Sequence, residues 1–412
     1  MNILNSKFTA GIILAIFIGF GLCPSVVSSG YEFDGIGAKE VLRGGASIAD
    51  SSGWTAIYWN PANIGLEKEA GEKEIGMEFR AGGMKIKDPN SIANDFNLLF
   101  DKTEVSYPVF SGSLGTAFKI NEDYAFGGGI YSPVMQGTDF EGVSSDTTKS
   151  IDQKGFTAIA VANTSVSRKI TEKLYVGTGI NIIYGKLKTE SNLILIGGPS
   201  LSSGEISGDG YGLEGVFGLS YEFNPNFTMG MVYRTGNHLK FKGTVDAYML
   251  GVPNEKSDFS FTLNHPATSG VGAAWKVNPR TILTMDFTQT YWEGFSNKFV
   301  YDNPGVLITN ADNTFDWNNS WKIRLGLVRE LSEKTDFIAG YAFDVPAIDK
   351  GSIDFATAVD VPMHRFSGGI AKKWKNTEFV FGGLFGAAKR NENGMEYKLG
   401  GWYFISEIKV KI

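Results

Sequence analysis

A strict alternation of residues, with charges along one side of it, limits this chain more than any other feature. In Thr281–Trp292, Leu283, Met285, Phe287 and Tyr291 point one way, while Thr284, Asp286, Thr288 and Thr290 point the other. In 321–327, Trp321, Ile323, Leu325 and Leu327 stand against Lys322, Arg324 and Gly326. In Leu174–Tyr184, Val176, Ile180, Ile182 and Tyr184 oppose Gly177, Gly179 and Asn181. The chain ends on Glu407-Ile408-Lys409-Val410-Lys411-Ile412, which alternates in the same way. A period of two belongs to a strand and excludes a helix. Charges on the second face do not suit the dry core of a sandwich. They suit a wall with lipid on one side and a polar interior on the other.

Downstream of Ser29 no apolar run reaches the ~18 residues of a membrane helix. That portion is therefore either soluble or crosses a membrane as a barrel. Turn spacing decides between the two. Six short polar turns (Asn121–Asp123, Arg168–Glu172, Asn224–Asn226, Asn278–Arg280, Ser332–Lys334 and Lys375-Asn376) alternate with seven other connections, most of them longer. The latter include Gly83–Tyr107, Ser132–Gln153, Thr189–Ile206, Asp246–Lys256, Tyr301–Asp316 and Asp344–Val361. Thirteen connections join fourteen strands. An even strand count, with short turns on one side and longer loops on the other, is the rule for outer-membrane barrels. The expected fold is all-β: a 14-stranded antiparallel transmembrane β-barrel over residues 71–412, turns toward the periplasm and loops outside. Ser91–Phe100, in the first long loop, reads as a short amphipathic helix.

Residues 1–29 read as a secretory signal peptide. Lys7 is the positive flank, Phe8–Leu22 the apolar core, and Pro24 and small residues through Ser29 follow. The single cysteine, Cys23, lies in this segment. Gly30 would then be the mature N-terminus. Residues 30–70 lack a barrel-strand pattern. Within them Gly35–Leu66 is broken by Gly44-Gly45 and Pro61, and carries Trp54, Tyr58 and Trp59. A segment this apolar, preceding the first strand, fits inside the barrel as a hatch or plug. Fifty-two glycines in 412 residues are consistent with many close packings.

At these residues the chain resembles the FadL/TodX family of outer-membrane transporters for hydrophobic compounds. The resemblance rests on GGASIADSSGWTAIYWNPANI with its Asn60-Pro61-Ala62, on Tyr233-Arg234-Thr235 followed by Phe241-Lys242-Gly243, and on Leu263–Trp275. Trp292–Phe295, Tyr341–Asp344 and Val361–Phe366 extend it. It implies passive uptake of long-chain fatty acids or aromatic hydrocarbons. Ligand is caught among the outer loops, passes to an apolar pocket against the hatch, and leaves sideways through a kink in the third strand. Gly127, Gly128 and Gly129, with Pro133 beyond them, fall on that strand. Expected ligand or gating residues are Gly30, Trp54, Tyr58, Trp59, Asn60, Pro61 and Ala62 in the hatch, and Phe96, Leu99 and Phe100 in the first loop. Arg234 and Arg324 are candidates for a ligand carboxylate, with His238, Lys322 and Arg365 as lesser ones. Arg43 and Asp50 are expected to anchor the hatch to the wall.

Expected partners are hydrophobic small molecules, outer-membrane lipid and the barrel assembly machinery. The family often ends in Phe where this chain ends in Ile412. A net charge of −6 speaks against nucleic acid. No catalytic, metal or cofactor site is expected. His238, His265 and His364 are scattered, and no Gly-x-Ser-x-Gly elbow is present. The rival readings are a carrier or anchor in protein secretion, a general porin, and a membrane-embedded hydrolase.

Overall fold

The computed structural model describes residues 34–412 apart from 67–68, 88–99, 145–147, 315–316, 348–361 and 393–394. Among the described residues, fourteen antiparallel strands form one closed sheet. They are β1 (Lys73–Lys87), β2 (Phe100–Lys119), β3 (Tyr124–Ser144), β4 (Lys149–Lys169), β5 (Leu174–Leu195) and β6 (Ser200–Asn224). Four interrupted strands follow: β7 (Phe227–Arg234 and Asn237–Met249), β8 (Val252–His265 and Thr268–Asn278), β9 (Thr281–Thr290 and Ser296–Tyr301) and β10 (Ala311–Thr314 and Ser320–Ser332). The last are β11 (Thr335–Asp344), β12 (Met363–Trp374), β13 (Thr377–Glu392) and β14 (Met395–Lys411). The ring closes where β14 pairs with β1, from Glu74↔Lys411 to Lys87↔Lys398. The Ser91–Phe100 helix expected from sequence lies outside the described residues except at Phe100, which begins β2.

The alternation faces as its chemistry requires. Leu283, Met285 and Phe287 of β9 are 40–51% exposed, whereas Thr284 and Asp286 are buried. On β10 Leu325 is outside and Lys322 and Arg324 inside. Apolar side chains therefore meet lipid, and polar ones meet the lumen. The six short turns fall at one end, which by this rule is the periplasmic end.

At the other end the strands run much further than the sequence suggests. Ser132–Gln153 and Thr189–Ile206, expected as loops, are strand for most of their length, and residues 250–251 suffice to join β7 to β8. The physical reason is that a hairpin above the membrane has water on both sides and loses its apolar face. Its ladder persists, with cross-strand pairs such as Lys188–Glu205 at 3.2 Å.

The interruptions in β7 to β9 also carry identifiable causes. Gly236 has φ +72° and Gly294 φ +78°, values that a side chain resists. Pro266 supplies no donor at the break in β8. Above the breaks Phe241, Phe261 and Phe299 turn inward, stack (Phe261–Phe299 4.1 Å), and carry the apolar core of Trp54, Ile57 and Ile64 up among the outer hairpins.

Residues 34–66 form single helical turns at Ala38–Leu42, Gly53–Thr55, Ala56–Trp59 and Pro61–Asn63. They lie within the ring. Their backbone or side chains meet inward-facing atoms of every one of the fourteen strands, from Glu74 on β1 to Lys409 on β14. The wall makes room by omitting side chains. A Cβ on Gly127 would come within 2.7 Å of Ile57, and one on Gly177 would strike the backbone of Pro61 and Ala62. Much of the glycine excess is accounted for by this fit.

Candidate functional site

Wall carboxylates hold the N-terminal segment by its backbone. Glu407 Oε2 accepts the Ala38 N–H at 2.9 Å, and its Oε1 accepts the Trp54 indole N–H at 3.0 Å. Glu74 accepts the Trp54 backbone N–H at 3.0 Å, and Glu78 accepts that of Gly37. Across the lumen, Asp286 Oδ2 accepts from Ser47 at 2.6 Å and Ile48 at 2.9 Å. A carboxylate makes stronger hydrogen bonds than a neutral acceptor. Four acids thus grip short, frayed helical turns that have spare N–H groups. Lys39 reaches Glu378 at 3.2 Å and Asp336 at 3.4 Å. Burial works against its ammonium, but these carboxylates outweigh burial and raise its pKa. The side chains of Arg43 and Asp50, expected to tie the segment to the wall, pair with each other at 2.7 Å, while Arg43 itself packs on Gly326 and Gly340 of the wall.

Asn60-Pro61-Ala62 is a clamp. The Asn60 Nδ2 donates to Ile48 O at 2.8 Å and to Leu219 O of β6 at 3.0 Å, while its Oδ1 accepts the Ala62 N–H. Trp54 is fully buried against Gly76 and Gly115.

Above the segment lies a cavity of about 180 Å³. Tyr58 and Trp59 line it, with Ile48, Ile159, Val161 and Leu239 among its apolar walls. Arg234 and Arg324 both reach it. Their positions differ in consequence. Arg234 is spent on the protein: its Nη1 meets Glu214 at 3.2 Å, its Nη2 donates to Tyr58 O, and its guanidinium lies 4.4 Å from the Tyr58 ring. Arg324 donates to Thr288 Oγ1 at 3.0 Å and stands opposite Asp286 in the β9–β10 register, yet among the described residues it forms no ion pair. On the periplasmic side of the segment is a second, polar cavity of about 590 Å³, with Lys39, Glu40 and Asp50 in its lining.

The apolar cavity also reaches Pro133. Here β3 carries one residue too many for either neighbour. Against β4, Ser132 and Pro133 oppose Ala160 alone. Against β2, the ladder register stops at Ser113↔Tyr131 and resumes at Val109↔Gln136, so three residues, Phe110 to Gly112, stand against four, Ser132 to Met135. Gly127, Gly128 and Gly129 are not the irregular part. All three are paired on both sides, to Ala117, Thr116 and Gly115 and to Ser165, Thr164 and Asn163.

Of the residues singled out from sequence, the cavity gathers Tyr58, Trp59, Arg234 and Arg324. Trp54, Asn60, Pro61 and Ala62 pack beneath it. Arg365 joins Asp34 and Asp344, Lys322 is buried apart from the cavity, and His238 meets Asn264. Gly30, Phe96 and Leu99 lie outside the described residues, as does the Phe100 side chain. Sequence reasoning passed over Tyr131, Glu214 and Asp286. The available signal was an acid or tyrosine on the inward face in mid-strand.

A membrane-spanning barrel whose lumen is occupied by its own N-terminal residues belongs to a different class from an open porin. This chain belongs to the outer-membrane transport protein family (OMPP1/FadL/TodX), whose match covers residues 32–363. It is 23% identical over 365 residues to the long-chain fatty acid transport protein of Escherichia coli O6:H1 strain CFT073, 78% of each chain. Its fold is shared by the Pseudomonas putida toluene transporter TodX (TM-score 0.66, 16% identity, 92% of this chain and 99% of that one). A Pseudomonas aeruginosa FadL homologue matches with TM-score 0.69 at 14% identity, over 92% of this chain and 99% of that one. The protein is an outer-membrane transport barrel.

Proposed function

We propose that this protein takes up hydrophobic compounds passively, with residues 30–70 as the hatch, the apolar cavity as the ligand seat and the β2–β3 gap as a lateral exit. The observation that carries this is the extent of the cavity, from Tyr58 and Trp59 on the hatch to Pro133 at the β3 bulge. A side exit spares an alkyl chain the passage through water, which costs about 0.8 kcal/mol per methylene.

The leading cargo is a long-chain fatty acid. Arg324, buried in the cavity lining and in no ion pair among the described residues, suits its carboxylate. A monoaromatic hydrocarbon is the second reading, favoured by the volume: about 180 Å³ is close to the ~150 Å³ of a cavity known to hold benzene. A first catch of ligand at Phe96, Leu99 and Phe100, expected from the sequence, would precede the cavity in either reading.

The test is uptake of labelled oleate and labelled toluene by cells expressing the wild type or a Pro133 deletion. Loss of both with a folded barrel supports the lateral path. Unchanged uptake by the deletion overturns it, and preference between the two cargoes decides the ligand class.

A further inference from the structure

Strands β12 and β13 carry four glycines as a block: Gly368 pairs with Gly383 and Gly369 with Gly382. The inward pair is explained by the hatch. A Cβ on Gly369 or on Gly382 would come within 2.6 Å of the Leu42 side chain. The outward pair has no such explanation. A Cβ on Gly368 would meet nothing nearer than Ile338 O at 3.5 Å, and one on Gly383 nothing nearer than the Phe404 ring at 3.5 Å. These are ordinary contact distances. Glycine weakens a strand, and nothing among the described residues demands it at either position.

The bare backbone instead forms part of an external groove of about 470 Å³, walled by Ile370, Phe379, Phe381 and Phe404. Lys372 lies at its periplasmic end, exposed, and among the described residues it forms no ion pair. Trp374, two residues on and 65% exposed, is the kind of side chain that sits at headgroup level. From Lys372 to Gly368 the strand runs about 13 Å at ~3.3 Å per residue, which at a barrel tilt of ~40° is a depth of about 10 Å, within the ~15 Å of half the hydrocarbon core.

We propose that this groove is a binding site for one anionic phospholipid of the periplasmic leaflet, its phosphate at Lys372 and an acyl chain laid over Gly368 and Gly383. The stretch from Lys372 to Gly368 lies within the depth of one leaflet, its walls are apolar, and its single charged terminus has the sign that a phosphate needs. A second barrel docked here by two-fold symmetry would bring another Lys372 to the same level, like charge facing like. The site is separate from the ligand cavity and does not depend on what the barrel transports.

The experiment is native mass spectrometry of the full-length mature protein released from micelles of equal phosphatidylglycerol and phosphatidylcholine. The wild type is expected to retain one phosphatidylglycerol. Gly368→Leu with Gly383→Leu, which fills the groove from outside, is expected to lose it. Lys372→Gln is expected to keep a lipid but lose the headgroup preference by about fivefold. Gly383→Leu alone and Lys372→Gln serve should the double variant not fold, with heat-shifted gel mobility and unchanged uptake as controls. Equal lipid retention by wild type and groove-filled protein overturns the proposal, as does an unaltered preference in Lys372→Gln. A wild-type dimer that Gly383→Leu disperses overturns it too, by giving the groove to a second copy.

Discussion

One oxygen of Asp286, in the middle of β9, accepts the backbone N–H of Ser47 at 2.6 Å as well as that of Ile48. Asp286 lines the apolar cavity, and Gly326, two residues along the same face of β10 from Arg324, abuts Arg43 beneath it. A single wall carboxylate therefore stands at the level that separates the apolar cavity from the polar one below. Replacing it by asparagine keeps the shape and removes the charge. Hydrogen bonds to a charged group contribute about 1.5–3 kcal/mol, so Asp286→Asn is expected to loosen the hatch by a sizeable part of that. The measurement is conductance of single barrels in planar bilayers: transient openings in Asp286→Asn where the wild type stays closed. A closed trace in both rejects the role.

The close fit between wall and hatch can be broken from the wall. Gly177→Val places a side chain into Pro61 and Ala62. The expected product is a folded barrel with the hatch displaced, seen as faster proteolysis at residues 34–66 and a permanent rise in conductance. Protection equal to that of wild type contradicts the fit.

Arg324→Gln separates the two cargoes. Losing a charge-assisted bond of about 1.5–3 kcal/mol is expected to weaken oleate binding at least tenfold. Toluene, which has no charge, is expected to be taken up as before. An equal fall for both cargoes assigns Arg324 a purely structural part.

Deleting Pro133 restores equal residue counts between β3 and both neighbours, three against three with β2 and one against one with β4. The ladder is expected to become continuous, with greater resistance to thermal unfolding and loss of uptake. Amide exchange at Phe110–Gly112 reads closure directly: slow exchange is the expected result, and exchange as fast as in the wild type means that the gap persists.

The strand count was legible because lipid outside and a polar lumen inside impose opposite chemistries on adjacent residues, as at Met285 and Asp286. That signal ends at the membrane surface. Strand beyond it, such as Thr189–Leu195, therefore reads as loop. The third-strand irregularity is expected from its glycines together with Pro133, and the register puts it at the proline, because glycine serves two ends in a wall. Gly127 yields space to Ile57 in a regular ladder, whereas the bulge rests on the missing donor of Pro133 and an extra residue that only register reveals. Arg234 and Arg324 are indistinguishable as letters on inward faces. What separates them is Glu214, which comes from another strand and occupies only the first. Gly368 and Gly369 are neighbours in sequence, yet one faces Leu42 and the other lipid.

The seam where the barrel closes has a consequence for its register. Glu74 and Glu78 lie on β1, and Glu407 lies on β14 at the opposite end of the chain; together they hold Gly37, Ala38 and Trp54. One short stretch thus binds both edges of the closing joint, so a sheet that closes with that stretch in place has its first and last strands held in register by it.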